Sequence, residues 1–208
     1  MSTQQSTSLE LAGVEVHGMT RSSFILKGAL GAGAVYGVGS VAPFVATALA
    51  ASGDVDILNF ALTLEYLETD FYQQKGTSVG LSGQAKSLAK SFGDEEAEHV
   101  AALTKAITAS GGKPVKKPTF VFPGSNQAAF LKLAYVLENT GVGAYNGAGP
   151  SLQSKALLAA AGSIVQVEAR HAASIAVITG MKITPNGAFD KPLTKKQVLA
   201  AAGPLIKS

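Results

Sequence analysis

The 208-residue chain contains no cysteine and no tryptophan, three histidines, and only 15% charged residues. Without cysteine there is no disulfide framework, no thiolate nucleophile, and no cysteine-ligated zinc or iron–sulfur cluster. The absence does not indicate a compartment, since a cysteine-free chain suits oxidising and reducing surroundings alike. Charge of one sign is also scarce. A formal net charge of +3 comes without a basic block or interleaved aromatic and basic residues, which argues against a nucleic-acid partner. What is abundant is apolar: 47% of residues are hydrophobic, enough for a packed core and incompatible with a disordered chain.

The first fifty residues read as an address. Residues 1–20 are polar and carry no expectation of structure. Thr20-Arg21-Ser22-Ser23-Phe24-Ile25-Leu26-Lys27 then leads into an uncharged Gly/Ala-rich stretch from Gly28 to Ala50, closing on Ala46-Thr47-Ala48 and Ala48-Leu49-Ala50. A basic start, an apolar middle and small-x-small at the end is the layout of an export signal. The run resembles a twin-arginine signal, with Ser22 where a second arginine usually stands. The alternatives are an uncleaved membrane anchor, disfavoured by the glycines from Gly28 to Gly39 and by Pro43, and a buried soluble helix. The expected organisation is a leader over 1–50, a helical domain over 51–180 and a tail over 181–208.

From Asp54 onward the apolar spacing is helical. Four long helices are expected. The first covers 54–75, with Leu58, Ala61, Leu62, Glu65, Thr69 and Tyr72 on one stripe and Asp54 and Asp56 in the first turn. The second covers 82–110 (Phe92, Glu96, His99, Leu103, Ala106) and the third 125–147, capped by Ser125 (Leu131, Ala134, Glu138, Gly141, Tyr145). The fourth covers 151–179, with Ala161, Ile164, Glu168, His171, Ile175 and Ile178 aligned. A short helix near 194–202 is expected in the tail. Residues 111–124 hold three prolines and cannot be helical. Short links within each pair and this long link between pairs predict two antiparallel hairpins joined by a strap.

The hairpins repeat each other. Glu65 and Tyr72 are seven residues apart, as are Glu138 and Tyr145; Glu96-Ala97-Glu98-His99 matches Glu168-Ala169-Arg170-His171. Glu65 precedes Glu96 by 31 residues and Glu138 precedes Glu168 by 30, so all four glutamates recur at one depth. A three-residue helical step turns about 60° and rises about 4.5 Å, so each Glu-x-x-His aims both groups at nearly one spot. His17 lies in the leader, which leaves both remaining histidines, His99 and His171, in such a step. Four carboxylates facing one core would repel, and burying even one unpaired charge costs several kcal/mol. Two divalent cations remove the problem, and carboxylate oxygens with one imidazole per ion suit iron or manganese. The competing reading is a buried polar network without metal.

This constellation resembles the ferritin-like domain superfamily. Asn59-Phe60-Ala61-Leu62-Thr63-Leu64-Glu65-Tyr66-Leu67-Glu68 and Glu138-Asn139-Thr140-Gly141-Val142 resemble the first and third helices of its exported, desiccation-related branch. The resemblance implies an all-α, ferritin-like four-helix bundle over roughly residues 54–180. It also implies a dinuclear site for two iron ions (manganese being possible), with Glu65 and Glu138 as terminal or bridging ligands. Glu96 and Glu168 would supply the remaining carboxylates, and His99 and His171 would cap one metal each. Tyr72 and Tyr145 would sit just outside the ligands as candidate catalytic residues passing an electron or proton. Many members of the superfamily place Asp before the motif Glu to support the opposing His. Here those positions hold Glu95 and Val167, so at least one support is expected to be missing.

The other singled-out residues have plainer expectations. Glu68 is an alternative to Glu65, which alone keeps the seven-residue step to tyrosine. Glu95 and Glu98 read as solvated charges, Arg170 as facing water, and Lys113, Lys116 and Lys117 as solubilising. Gly141 and Gly143 leave space beside Glu138 or serve close helix packing. The function expected is oxidation of iron or reduction of dioxygen or peroxide in stress protection, in the periplasm or outside the cell. A non-enzymatic, metal-sequestering or stress-protective bundle is the alternative. Partners would be metal ions and dioxygen or peroxide, with membrane contact only through an uncleaved leader and a homo-oligomer possible.

Overall fold

The computed structural model describes residues 15–16, 19–20 and 52–207. Within the first twenty residues, two short strands, β1 (Glu15–Val16) and β2 (Met19–Thr20), pair antiparallel where no structure was expected. The remainder of the export-signal reading lies outside the described residues. No helix among the described residues is long and apolar enough to cross a membrane.

The rest is helical, in the expected order. Helix α1 (Ser52–Asp70) continues through a π-helical turn (Phe71–Lys75) and a further turn at Gly76–Ser78. Helix α2 is Gly83–Ala109, α3 is Gln127–Ala148, α4 is Lys155–Thr179 and α5 is Lys195–Ala202. Three local expectations need correction. The cap of α3 is Asn126, not Ser125: its side chain accepts from the Ala129 backbone N–H at 2.9 Å. Residues 149–151 form a 3-10 turn, so α4 starts later and is capped by Ser154. Asp54 is more than a helix-dipole charge. It is fully buried, and its two oxygens accept from the backbone N–H groups of Gln153 (2.8 Å) and Ser154 (3.0 Å), fastening the start of the first hairpin to the second.

Helix α1 packs on α2 and α3 on α4; the hairpins meet through α1 with α3 and α2 with α4. The apolar core comes in two clusters. One holds Phe71, Phe92, Phe130, Leu137 and Ile175; the other holds Leu58, Leu62, Leu103, Ile107, Leu157 and Ile164. The order of these clusters along the chain sets direction: α1 and α4 run from the second cluster to the first, and α2 and α3 run the reverse way. Two consecutive helices pointing the same way require a connection that travels the length of the bundle. The strap does so, starting with Val115 against one cluster and ending with Phe120 and Phe122 against the other.

The strap is held by more than its apolar residues. Lys117, expected only to solubilise, pairs with Asp70 at 2.7 Å. Asn59 donates to the Lys113 carbonyl and accepts from the Val115 N–H. Strap strand β3 (Thr119–Phe120) pairs antiparallel with β4 (Ile206–Lys207) at the chain end. The tail also lies on α3. Leu193 donates its N–H to the Gly143 carbonyl at 2.8 Å, and a side-chain carbon on Gly143 would stand 2.5 Å from Leu193 Cγ. On Gly147 such a carbon would overlap the Leu193 carbonyl oxygen. Gly143 therefore serves close packing of the tail; space beside the carboxylates is left by Gly141.

Candidate metal centre

In all four helices the gap between the two apolar clusters is filled by acid. Glu65, Glu96, Glu138 and Glu168 are each 0% exposed. His171 is buried with them, and the His99 side chain is 12% exposed. The three-residue and seven-residue steps do what helical geometry requires. They turn Glu65 and Tyr72 inward from α1 and the turn after it, Glu138 and Tyr145 inward from α3, and the two Glu-x-x-His pairs inward from α2 and α4.

Two sets of potential donors result, each with its atoms within 4.8 Å of one another: Glu65, Glu96, His99 and Glu168; and Glu96, Glu138, Glu168 and His171. Glu96 and Glu168 belong to both. All six sequence-predicted ligand residues are thus brought together, in two overlapping sets of four.

The contacts within the sets are close but poorly directed. His171 Nδ1 lies 3.0 Å from Glu96 Oε1 and 3.3 Å from Glu138 Oε2. Yet among the described residues His171 Nδ1, Glu96 Oε1, Glu138 Oε2 and both oxygens of Glu168 lack a hydrogen-bond partner. Buried polar atoms are rarely left unpaired, because each orphan costs about 1–3 kcal/mol. Here they crowd a shared centre without bonding one another, which is how a ligand set is arranged. His99 Nδ1 does reach Glu96 (2.9 Å) and Glu65 (3.2 Å). Carboxylate oxygen with one imidazole per set fits a pair of hard or borderline divalent cations such as iron or manganese.

In the absence of cations, protons balance the acids. Burial disfavours charge on His171, but the adjoining Glu138 and Glu96 carboxylates outweigh it and push its pKa up to about 11. Burial likewise opposes charge on His99, and Glu65, then Glu168 and Glu96, hold it well above the usual imidazole range. Burial lifts Glu65 to about 7, partly offset by His99. Glu138 and Glu168 are raised, again chiefly by burial. Glu96 alone goes down: burial raises it, but the two histidines beside it prevail. The metal-free centre is therefore proton-loaded, with two imidazolium rings amid partly protonated carboxyls.

Both tyrosines occupy the expected places. Tyr72 donates its phenol proton to Glu138 Oε1 and Tyr145 donates to Glu65 Oε1, each across to the other hairpin. Burial, followed by the adjoining Glu138 or Glu65, keeps both phenols protonated well above their ordinary range. Tyr72 lies in the π turn, where one extra residue per turn re-aims a side chain. Gly93 makes room there: a side-chain carbon on it would stand 3.0 Å from Tyr72 Cβ. Tyr72 also lines a cleft of about 590 Å³ together with Gln73, Thr77, Lys86 and Lys90.

Glu95 corrects the sequence reading. It is not merely solvated: although its side chain is 45% exposed, Oε2 sits 2.5 Å from His171 Nε2. That contact fixes which nitrogen of His171 faces the carboxylates. The Phe92 ring stacks on His171 at 3.9 Å between centroids. Across the bundle, Val167 offers His99 no such support, as its side chain lacks a polar atom. Glu98 is exposed, and Arg170 is exposed and donates to its own helix at the Gln166 carbonyl. Glu68, weighed as a substitute for Glu65, is buried alongside it at 3% exposure but belongs to neither donor set.

A family model described as ferritin-like domain matches residues 53–181. The chain belongs to the ferritin-like domain family. The match covers both hairpins and the strap, the same span that holds every donor above. No curated protein was found to match the chain.

Proposed function

We propose that this ferritin-like protein is exported, holds two iron or manganese ions between its hairpins, and oxidises iron or reduces dioxygen or peroxide in stress protection. The observation that carries the reading is the pair of overlapping donor sets with orphaned, fully buried oxygens on Glu96, Glu138 and Glu168. A bound pair of such ions supplies the electrons for reducing dioxygen or peroxide.

The chain's own residues supply the rest. Glu65, Glu138, Glu96 and Glu168 carry enough negative charge to balance two divalent cations, with Glu96 and Glu168 placed to be shared. His99 and His171 each add one nitrogen donor, and Glu95 keeps His171 turned inward. Tyr72 and Tyr145 hold protons at Glu138 Oε1 and Glu65 Oε1, where a proton or electron can pass without crossing bulk water. The apolar clusters above and below limit water access. Export is supported by residues 20–50, with the basic start, apolar middle and small-x-small close described above.

The test is metal content and turnover together. Protein isolated from its native compartment is expected to contain about two iron or manganese ions per chain, and to lose them in Glu96→Ala and His171→Ala. Reloaded with ferrous iron, it should oxidise iron with dioxygen or peroxide faster than a metal-free control. Tight binding with no oxidation above that control would leave the metal-sequestering reading in its place. No binding would refute both.

A further inference from the structure

The hairpins repeat each other at every inward donor position but one. Three residues after Glu65 stands Glu68; three residues after Glu138 stands Gly141. The same helical step that groups each Glu with its His turns both positions inward, and they meet. A side-chain carbon built on Gly141 would lie 3.5 Å from Glu68 Oε1 and 3.1 Å from Glu168 Oε2. The bare backbone of Gly141 thus has both carboxylates beside it, Glu168 closely and Glu68 at ordinary contact distance. Glu168 Oε2 is buried and without a hydrogen-bond partner among the described residues. A void of about 10 Å³ beside Glu68 and Gly141, lined also by Leu64, Leu67, Leu137, Thr140 and Ala202, leaves room for roughly one water. The Thr140 hydroxyl donates to the Val136 carbonyl of its own helix, and none of these neighbours offers Glu68 a counter-charge. A fifth buried acid beside four others is costly unless it has a ligand role.

We propose that Glu68 is a seventh ligand residue of the metal centre, serving the ion held by Glu138 and His171. The proposal rests on the metal-centre reading above. Helix α1 runs toward the cluster that holds Phe92, and Phe92 stacks on His171, so Glu68, one turn beyond Glu65, lies on the side of the ion at Glu138 and His171. The consequence is inequivalence. One ion has Glu65, Glu96, His99 and Glu168; the other has Glu96, Glu138, Glu168 and His171 with Glu68 added. A fifth, oxygen donor suits a cation that accepts more than four ligands, such as manganese or ferrous iron, better than tetrahedral zinc.

The experiment titrates the metal-free full chain with Mn²⁺, following heat and the free-ion paramagnetic resonance signal, in wild type, Glu68→Gln and Gly141→Ala. Wild type is expected to bind two ions with dissociation constants about tenfold or more apart. Glu68→Gln should weaken the tighter constant by about tenfold or more and leave the other within about twofold. Gly141→Ala, whose added carbon would press on Glu168 Oε2, a donor in both sets, should instead weaken both constants, while its gain in helix propensity protects the fold. Unchanged constants in Glu68→Gln, or equal weakening of both, would overturn the proposal and leave the dinuclear centre standing. Failure of wild type to bind Mn²⁺ would overturn both.

Discussion

Raising the pH should destabilise the metal-free protein and stabilise the metal-loaded one. Glu65 is fully buried and titrates near 7 in the fold against 4.5 as an ordinary glutamate. A carboxyl raised in this way contributes stability that is complete below pH 4.5 and lost as pH climbs through 7, a difference of about 3 kcal/mol. For a domain of this size that lowers the melting temperature by roughly 6–12 °C. His171 acts in the same direction: with its pKa near 11 in the fold, its contribution begins to fall above about pH 6.5, at about 1.4 kcal/mol per pH unit. Glu96 acts oppositely, because its carboxyl is held low; its contribution is present above pH 4.5 and lost in stronger acid. The metal-free protein should therefore be most stable near pH 5. Cations replace the protons, so with excess Mn²⁺ the trend should reverse as binding improves with pH. Scanning calorimetry at pH 5.0, 6.0 and 7.5, with and without Mn²⁺, measures both slopes. A melting temperature of the metal-free protein that is flat or rising between pH 5 and 7.5 would refute the proton-loaded description.

Three further outcomes are expected. Glu95→Gln should weaken metal binding by about 10–100-fold by loosening His171, while Glu98→Gln, on the exposed face, should leave it unchanged; Mn²⁺ titration reads both. Tyr145→Phe removes the donor to Glu65 Oε1 and should cost the metal-free protein about 1–3 kcal/mol in urea unfolding. Gly147→Ala should cost at least about 1–3 kcal/mol through overlap with the Leu193 carbonyl, and limited proteolysis should then cut near Leu193 where wild type is protected.

How far the sequence foretold this arrangement depended on whether a feature was local in the chain. The stripes of α1 to α4, the two Glu-x-x-His steps and the seven-residue steps to Tyr72 and Tyr145 follow from helix period alone, and the structure gathers all of these residues inward. Glu95 could not be placed that way. Its position on α2 is half exposed, and only the approach of α4 brings His171 to it. Lys117 with Asp70, Asp54 with the start of α4, and Leu193 against Gly143 and Gly147 are likewise meetings of distant segments that carry no periodic signal. The Ser125 and Asn126 choice was a one-residue ambiguity between two good caps. The π turn at Tyr72 had no signature beyond the small residue Gly93 opposite it, which sequence alone gives no reason to pair with position 72.

The pairing of β3 with β4 bears on how the molecule can come apart. The strap is the sole covalent link between the hairpins, and residues 205–207 are hydrogen-bonded to it. Swinging the halves open as a book would strain that seam first, so Ile206–Lys207 act as a latch and not as a loose end.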